Sequence, residues 1–481
     1  MMLILAGLRK KLFKMSEMKA GAILSYLSLF ITITIALTYT PIMLRLLGQS
    51  DFGLYALIGS VAAYFSVMDM GLGNAVVRYT ARNKAIGDKG SEANLNGMFL
   101  ILYTIIGLLT IIIGAIFLKM IDNIFGASLT VSELNKAKIM VVVLIVNFAL
   151  SFPLSIFGSI MNAYEKFIIV KVVGITRSIM IPIITLSVLF LGYGPISMVV
   201  ITTVINISCL LFNVFYCFKN LKINFYFGNL DFGLLKEILG YSSFIFLNII
   251  VDQIYWNTDQ FILGALTGTL SVAVYAIAMQ FITIFKMFST SISNLFLPRA
   301  SAMVAKNASN EILTETMIKY GRVQYIIMSY VLSGFILFGY QFITIWAGDN
   351  YSNAYYIVLI VMIPLTIPLI QNFGISILQA KNLHGFRSIV YLIIAILNIL
   401  ISIPLVIKYD GIGSAVATGL SLILGHIIII NIYYNRKIGI NIILFWKNIL
   451  QMSIPAALAL LTGFLINNFI SESEVIYLTL N

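Results

Sequence analysis

Residues 46–57 read LLGQSDFGLYAL, a polar interruption inside a long apolar run. Residues 268–277 read GTLSVAVYAI. In both stretches a glycine stands seven residues before a Tyr-Ala pair: Gly48 before Tyr55-Ala56, and Gly268 before Tyr275-Ala276. Two more echoes follow. SIMNA at 159–163 is matched by SILQA at 376–380, and the Gly194–Ser197 opening of one apolar segment by Gly411–Ser414 of another, each 217 positions later. Three echoes in order at a nearly constant offset imply a duplicated chain. Six apolar segments separate the members of each pair, and an even number makes the repeat parallel, about an axis along the membrane normal.

The composition sets the solvent. Of 481 residues, 60% are hydrophobic and 10% charged, with a mean hydropathy of +1.01. Soluble domains carry about 25% charged residues, so a water-soluble fold is excluded. Apolar runs of roughly 20 residues recur throughout, each able to cross a bilayer as a helix, and the alternation of a membrane β-barrel is missing. The expected fold is an all-α polytopic membrane protein with thirteen spans, near 20–44, 52–77, 97–118, 139–162, 168–191, 195–218, 240–264, 270–297, 323–346, 354–379, 388–407, 411–434 and 448–470. The span near 20–44 is too long for a signal peptide and reads as a retained first helix. The last segment, SESEVIYLTLN, is too short to span, and two readings stay open: a truncated fourteenth helix, or a C-terminus that ends outside.

These runs divide the chain into a basic N-terminus (1–19), an N-lobe of six helices (20–218), a linker (219–239), a C-lobe of six helices (240–434) and a C-terminal helix with its tail (435–481). Of the 30 basic residues, 22 fall in connections on the side of the N-terminus and five on the other. The positive-inside rule then places the N-terminus in the cytoplasm. The net charge of +12 is spread through short loops with no basic stripe, so nucleic acid is excluded as a partner. Basic, amphipathic connections such as LDFGLLKEILG (230–240) are expected to lie on the cytoplasmic leaflet.

RLLGQSDFGLYAL, MDMGLGNAVVRYTAR (68–82), DQFILGALTGTLSVAVYAIA (259–278) and YDGIGSAVATG (409–419) resemble the polysaccharide-exporter branch of the MOP flippase superfamily, which includes the Wzx-type O-antigen flippases. The resemblance implies two six-helix lobes around a central cavity. It also implies a fold shared with MATE-type multidrug extruders and peptidoglycan-precursor flippases. The implied activity is alternating-access transfer of an undecaprenyl-diphosphate-linked oligosaccharide across a bacterial plasma (inner) membrane, for O-antigen or another surface polysaccharide. A glycan polymerase and a chain-length regulator would be partners besides the membrane lipids. A MATE-like drug or cation antiporter is the alternative. A membrane glycan polymerase or acyltransferase is less favoured, because no large external loop or His/Asp/Glu cluster is present.

Charges inside spans are the candidate site, because one at the bilayer centre costs about 2.5–3.5 kcal/mol unless it faces protein or a wet cavity. Asn248, Asp252, Tyr255, Trp256 and Asp259 lie along one face of the seventh helix. Lys286 shares a face of the eighth with Thr283, Thr290 and Ser293, and Arg177 lies in the fifth. Arg177 and Lys286 would attract an anionic diphosphate, with Asn248, Tyr255 and Trp256 lining the substrate cavity. Asp252 and Asp259 are candidates to bind a coupling proton or sodium ion, since burial favours a carboxyl that can take up a cation. A simple Asp252–Lys286 pair is the alternative for those two. Arg45, Asp69 and Arg78 are assigned a gate or structural role, with a kink expected in the DMGLG stretch. Gly71-x-Gly73 lacks the third glycine and the strand of a dinucleotide fingerprint. Cys209, Cys217, His384 and His426 read as structural, and neither a metal nor a cofactor is expected beyond the coupling ion.

Overall fold

A computed structural model describes residues 17–228, 232–293 and 296–479, and these are almost wholly helical. The helices are α1 (Glu17–Ser66), α2 (Leu72–Ile86), α3 (Lys89–Phe125), α4 (Val131–Ala163), α5 (Phe167–Phe190), α6 (Pro195–Tyr216) and α7 (Phe232–Leu266). They continue with α8 (Thr269–Ser293), α9 (Phe296–Ala305), α10 (Asn310–Ala347), α11 (Ala354–Ile370), α12 (Asn372–Ala380), α13 (His384–Leu422) and α14 (Ile442–Thr479). Eleven continuous stretches among the described residues are long and apolar enough to span a membrane. Two of them are broken, at Gly48 (φ 75°, ψ 171°) and at Asp410 (φ 54°, ψ −137°). Each of these two is a pair of membrane-length segments joined at a kink, so the described residues hold thirteen. Gly48 meets the break without strain because it lacks a Cβ; Asp410 is a non-glycine residue at positive φ, and its Oδ2 accepts a hydrogen bond of 2.7 Å from Ser271 Oγ.

Several helices begin well before their apolar runs, because helical hydrogen bonding continues into the polar connection until a capping side chain ends it. Asp88 caps α3 through Ser91 N (2.9 Å) and Ser91 Oγ (2.7 Å). The Ser91 hydroxyl and amide hold this carboxyl below the ordinary carboxylate range. Thr130 and Glu133 form a reciprocal capping box on α4, and Ser309 Oγ caps α10. In the expected linker, α7 starts at Phe232, eight residues before the expected start of its span at 240, so most of LDFGLLKEILG is continuous with the spanning helix. Residues 229–231 of that linker, the basic N-terminus up to residue 16 and residues 480–481 lie outside the described residues.

The chain forms two compact units. The first comprises residues up to 257 together with 264–270, and the second comprises 258–263 and 271 onward. In the first unit the core gathers Leu72, Val76 and Tyr79 of α2, Phe99 and Tyr103 of α3, and Phe152, Ile156 and Ile160 of α4. Small residues let the backbones close: a Cβ on Gly107 would sit 2.7 Å from Ala149 O, and one on Gly114 would sit 2.4 Å from Ile145 Cγ1. On the opposite side of α3, Ile105, Leu108, Ile112 and Ile116 remain exposed at helical spacing, the stripe that lipid covers. The DMGLG kink is present. A 3-10 turn at Val67–Asp69 ends α1, Met70 and Gly71 take positive φ, and the helix restarts at Leu72.

The second unit is cross-linked by amides, which replace the water a bilayer cannot supply. Gln371 Nε2 donates to Asn431 Oδ1 at 2.8 Å, while Gln324 Nε2 (3.1 Å) and Asn372 Nδ2 (2.9 Å) both donate to Ser289 Oγ. All four groups are buried or partly buried. Gly107→Leu is expected to cost about 1–3 kcal/mol through overpacking against α4. The same class of change at Gly174, which has open space around it, is expected to be neutral. Thermal unfolding of the two purified variants in one detergent compares them directly.

Candidate functional site

The most developed buried polar centre of the second unit is built around Asp259, which is 2% exposed. The residue stands seven positions before the end of α7, where that helix enters the unit. Tyr275, one and a half turns into α8, donates its hydroxyl to Oδ2 at 2.6 Å. Thr418 of α13 donates to the same oxygen at 2.7 Å, and Ser402, earlier in α13, donates to Oδ1 at 3.2 Å. Asn398, one turn before Ser402, reaches both hydroxyl groups: its Nδ2 lies 3.4 Å from Thr418 Oγ1 and its Oδ1 accepts from Ser402 at 3.4 Å. Ser414 is fully buried near this centre, and its hydroxyl makes no hydrogen bond.

The break at Asp410 separates the two halves of α13, Asn398 and Ser402 before it and Ser414 and Thr418 after it. It thereby lets both halves face one carboxylate. Ser402 and Asn398 are one turn apart, as are Ser414 and Thr418, which puts each pair on a single helix face. Among the described residues no Lys or Arg lies within ion-pair distance of Asp259. Its negative charge is therefore met by dipoles alone. Hydroxyls are suited to this because each can donate to a carboxylate or, after rotation, offer a lone pair to a cation. Carboxylate, amide carbonyl and hydroxyl oxygens are the donor set of hard cations. Among the described residues no group of three His, Cys, Asp or Glu comes together.

The other sequence-derived candidates sort differently. Asn248, Asp252, Tyr255 and Trp256 fall in the first unit, where the Tyr255 and Trp256 rings meet edge to face at 5.0 Å. Asn248 and Asp252 are exposed one turn apart, whereas Asp259 of the same expected stripe is buried in the second unit. Arg177 is exposed on α5 of the same unit, while Lys286 is half-buried in the second unit on α8. Asp69 accepts from Tyr103 Oη at 3.0 Å, which ties the kink between α1 and α2 to α3. Arg78 lies over the Tyr241 ring at 4.7 Å, beside a Tyr79–Glu237 hydrogen bond of 3.0 Å, which ties α2 to α7. Arg45 is exposed; its neighbour Asp51 pairs with Lys136 at 2.6 Å. His426 is half-buried against Tyr391, 3.1 Å from its hydroxyl, and the His384 side chain lies outside the described residues.

A second polar cluster, unforeseen in the sequence reading, lies in the first unit. Glu133 accepts from Ser50 (2.6 Å) and Thr269 (2.6 Å) through Oε1, and from Thr130 Oγ1 (2.7 Å) and N (2.8 Å) through Oε2. Ser128 Oγ donates to Gly264 O at 2.6 Å, so the 264–270 turn is held at two points. The T-x-x-E spelling of the capping box was the available signal.

A family profile described as "Polysaccharide biosynthesis protein" matches residues 42–357, about two thirds of the chain. The chain belongs to this family. A Shigella flexneri protein provisionally named an O-antigen transporter is 22% identical over 81% of this chain and 91% of its own length. Among solved structures, lipid II flippase MurJ in an inward closed conformation matches at TM-score 0.73 with 19% identity, covering 93% of this chain and 92% of that one. An inward-facing MATE multidrug transporter of the MOP superfamily matches at TM-score 0.65 with 15% identity, covering 83% and 96%. The fold is thus the MOP fold, and the chain is a multi-pass membrane protein.

Thr418→Val removes one of two donors to Asp259 Oδ2, with an expected loss of about 1–2 kcal/mol. Ser402→Ala, which removes the longer bond, should cost less. Detergent-solubilised unfolding midpoints of both variants, measured side by side, test the order.

Proposed function

We propose that this protein is a flippase for lipid-linked glycan, carrying an undecaprenyl-diphosphate-linked oligosaccharide across a bacterial plasma membrane from the cytoplasmic side, and that it is not an enzyme. The observation that carries the reading is the family match across residues 42–357, which ties the chain to polysaccharide biosynthesis. The relative named as an O-antigen transporter and the MOP fold agree with it. In this reading the N-terminus is cytoplasmic, and the glycan is handed to a polymerase and a chain-length regulator on the far side.

Arg177 and Lys286 are the bases proposed to attract the diphosphate, since two cations on spanning helices favour an anionic cargo over a cationic drug. Asn248, Tyr255 and Trp256 would meet the sugars, whose hydroxyls pair with amides and whose apolar faces stack on aromatic rings. Asp252 and Asp259 are the proposed coupling carboxylates, and Asp259 has the better supported geometry. A sodium ion or a proton at Asp259 supplies the positive charge that the hydroxyls around it lack. The chain's own part is to hold the carboxylate buried, exclude water and present Asn398, Ser402 and Thr418 oxygens.

Lys286→Glu should abolish surface polysaccharide in a strain dependent on this protein while leaving its membrane level unchanged; undiminished polysaccharide would remove Lys286 from the cargo path. Asp259→Asn should flatten the dependence of glycan transfer on sodium or pH in proteoliposomes. It should also remove any rise in unfolding temperature when choline chloride is replaced by sodium chloride. An ion dependence equal to that of the unmodified protein would leave Asp259 with a structural role alone.

A further inference from the structure

In the second unit α10 and α14 run side by side, yet they touch at their ends and part between them. At one end the Arg322 guanidinium donates to Asn448 Oδ1, and Tyr325 Oη and Ser453 Oγ are 2.6 Å apart. At the other end Gly463 lets the helices close, since a Cβ there would lie 2.5 Å from Leu337 Cδ1. Between these ties lies a groove of about 450 Å³. One wall is Arg322, Tyr325, Ser329 and Ser333; the other is Asn448, Gln451, Pro455 and Ala459. Both walls repeat at 0, 3, 7 and 11 residues, one face of a helix each. Short side chains on both walls and the ring of Pro455, which lacks an N–H, keep the helices from filling the space.

The groove is amphipathic along its length. Arg322, Asn448, Gln451 and Tyr325 cluster at one end, and Ile326, Met452, Pro455 and Ala459 make the remainder largely apolar. Arg322 is exposed, and no carboxylate among the described residues lies within ion-pair distance of it. The eleven-residue repeat spans about 16 Å of helix rise. That is close to half of a roughly 30 Å hydrocarbon core. The lined stretch therefore matches the depth of one leaflet, and the Leu337–Gly463 contact comes four residues, about one turn, beyond it.

We propose that this groove binds one anionic phospholipid, with its phosphate on Arg322 and the amides beside it and one acyl chain lying along the α10–α14 seam. A guanidinium matches a phosphate as a planar fork. The closure at Leu337 and Gly463 fits the chain of a single leaflet, and a longer polyprenyl tail would overrun it. In the orientation read from the basic loops, Arg322 puts this lipid in the cytoplasmic leaflet. The site stands apart from the Asp259 centre and holds whether or not the cargo is a glycan.

The test uses the full-length chain in detergent, offered equal phosphatidylglycerol and phosphatidylcholine, with retained lipid counted by native mass spectrometry. One phosphatidylglycerol should be retained with at least about ten-fold preference. Arg322→Gln should bring the two lipids to parity, and Arg322→Lys should keep part of the preference. Ser333→Leu with Ala459→Leu, which fills the apolar end far from the guanidinium, should lose both lipids while the unfolding temperature is kept. Equal retention by the unmodified protein, or an undiminished preference in Arg322→Gln, overturns the proposal. So does a polyprenyl phosphate that displaces phosphatidylglycerol from the groove, because it assigns the space to a different occupant.

Discussion

A carboxylate placed where water cannot reach it must be compensated by a counter-charge, a proton or a set of oriented dipoles. Asp259 has the last of these: hydroxyls from α8 and from both halves of α13 converge on its two oxygens. Much of the second unit's local architecture serves that convergence. The break at Asp410 turns one long helix into two faces aimed at the same point, and Ser271 at the start of α8 bonds back to Asp410. A hydroxyl shell costs little to build at helical spacing, yet it leaves the site one unit of charge short. That deficit separates a potential ion site from a structural polar cluster.

The duplicated sequence shows what the first unit does with the same positions. Asp259 precedes Tyr275 by sixteen residues, and Tyr39 precedes Tyr55 by the same interval. Tyr39 lies near Thr185 and Tyr55 near Thr202, so hydroxyls stand at the corresponding places while the carboxylate is replaced by a phenol; neither threonine hydroxyl makes a hydrogen bond. The charge is thus confined to one repeat. A neutral copy and a charged copy of one packing solution therefore differ in what they ask of their surroundings, since only the charged one must be compensated.

The membrane fold was legible because lipid imposes it: continuous apolar runs, basic loops on one side and glycine at the sharp turn of Gly48 leave little freedom. Helix ends were less legible. Asp88, Thr130 and Ser309 set them from within polar connections, where hydropathy carries no signal. Asp259 stood out as a charge within a span, and Tyr275, Ser414 and Thr418 all lay in motifs that betrayed the repeat. Their convergence did not show, because serine, threonine and tyrosine are common on membrane helices. Which of them face one another depends on helix rotation and on the Asp410 break, properties of packing between segments some 140 residues apart. Glu133 was hidden for the opposite reason: its capping box is local and readable, whereas its bonds to Ser50 and Thr269 are not.

The charges with resolved partners fall into two energetic classes. Asp51 and Asp122 have lysines at 2.6 and 2.7 Å. These carboxylates are satisfied in one protonation state and one geometry, which is what a structural role requires. Asp259 and Arg322 are each met by neutral groups that can reorient, hydroxyls in one case and amides in the other. Such groups neither cancel the charge nor lock it, so an ion of opposite sign gains the full Coulombic term on arrival with little protein rearrangement. Glu133 shares such a hydroxyl surround, with Ser50, Thr269 and Thr130 donating to it, so the division runs between fixed counter-charges and neutral partners that can reorient.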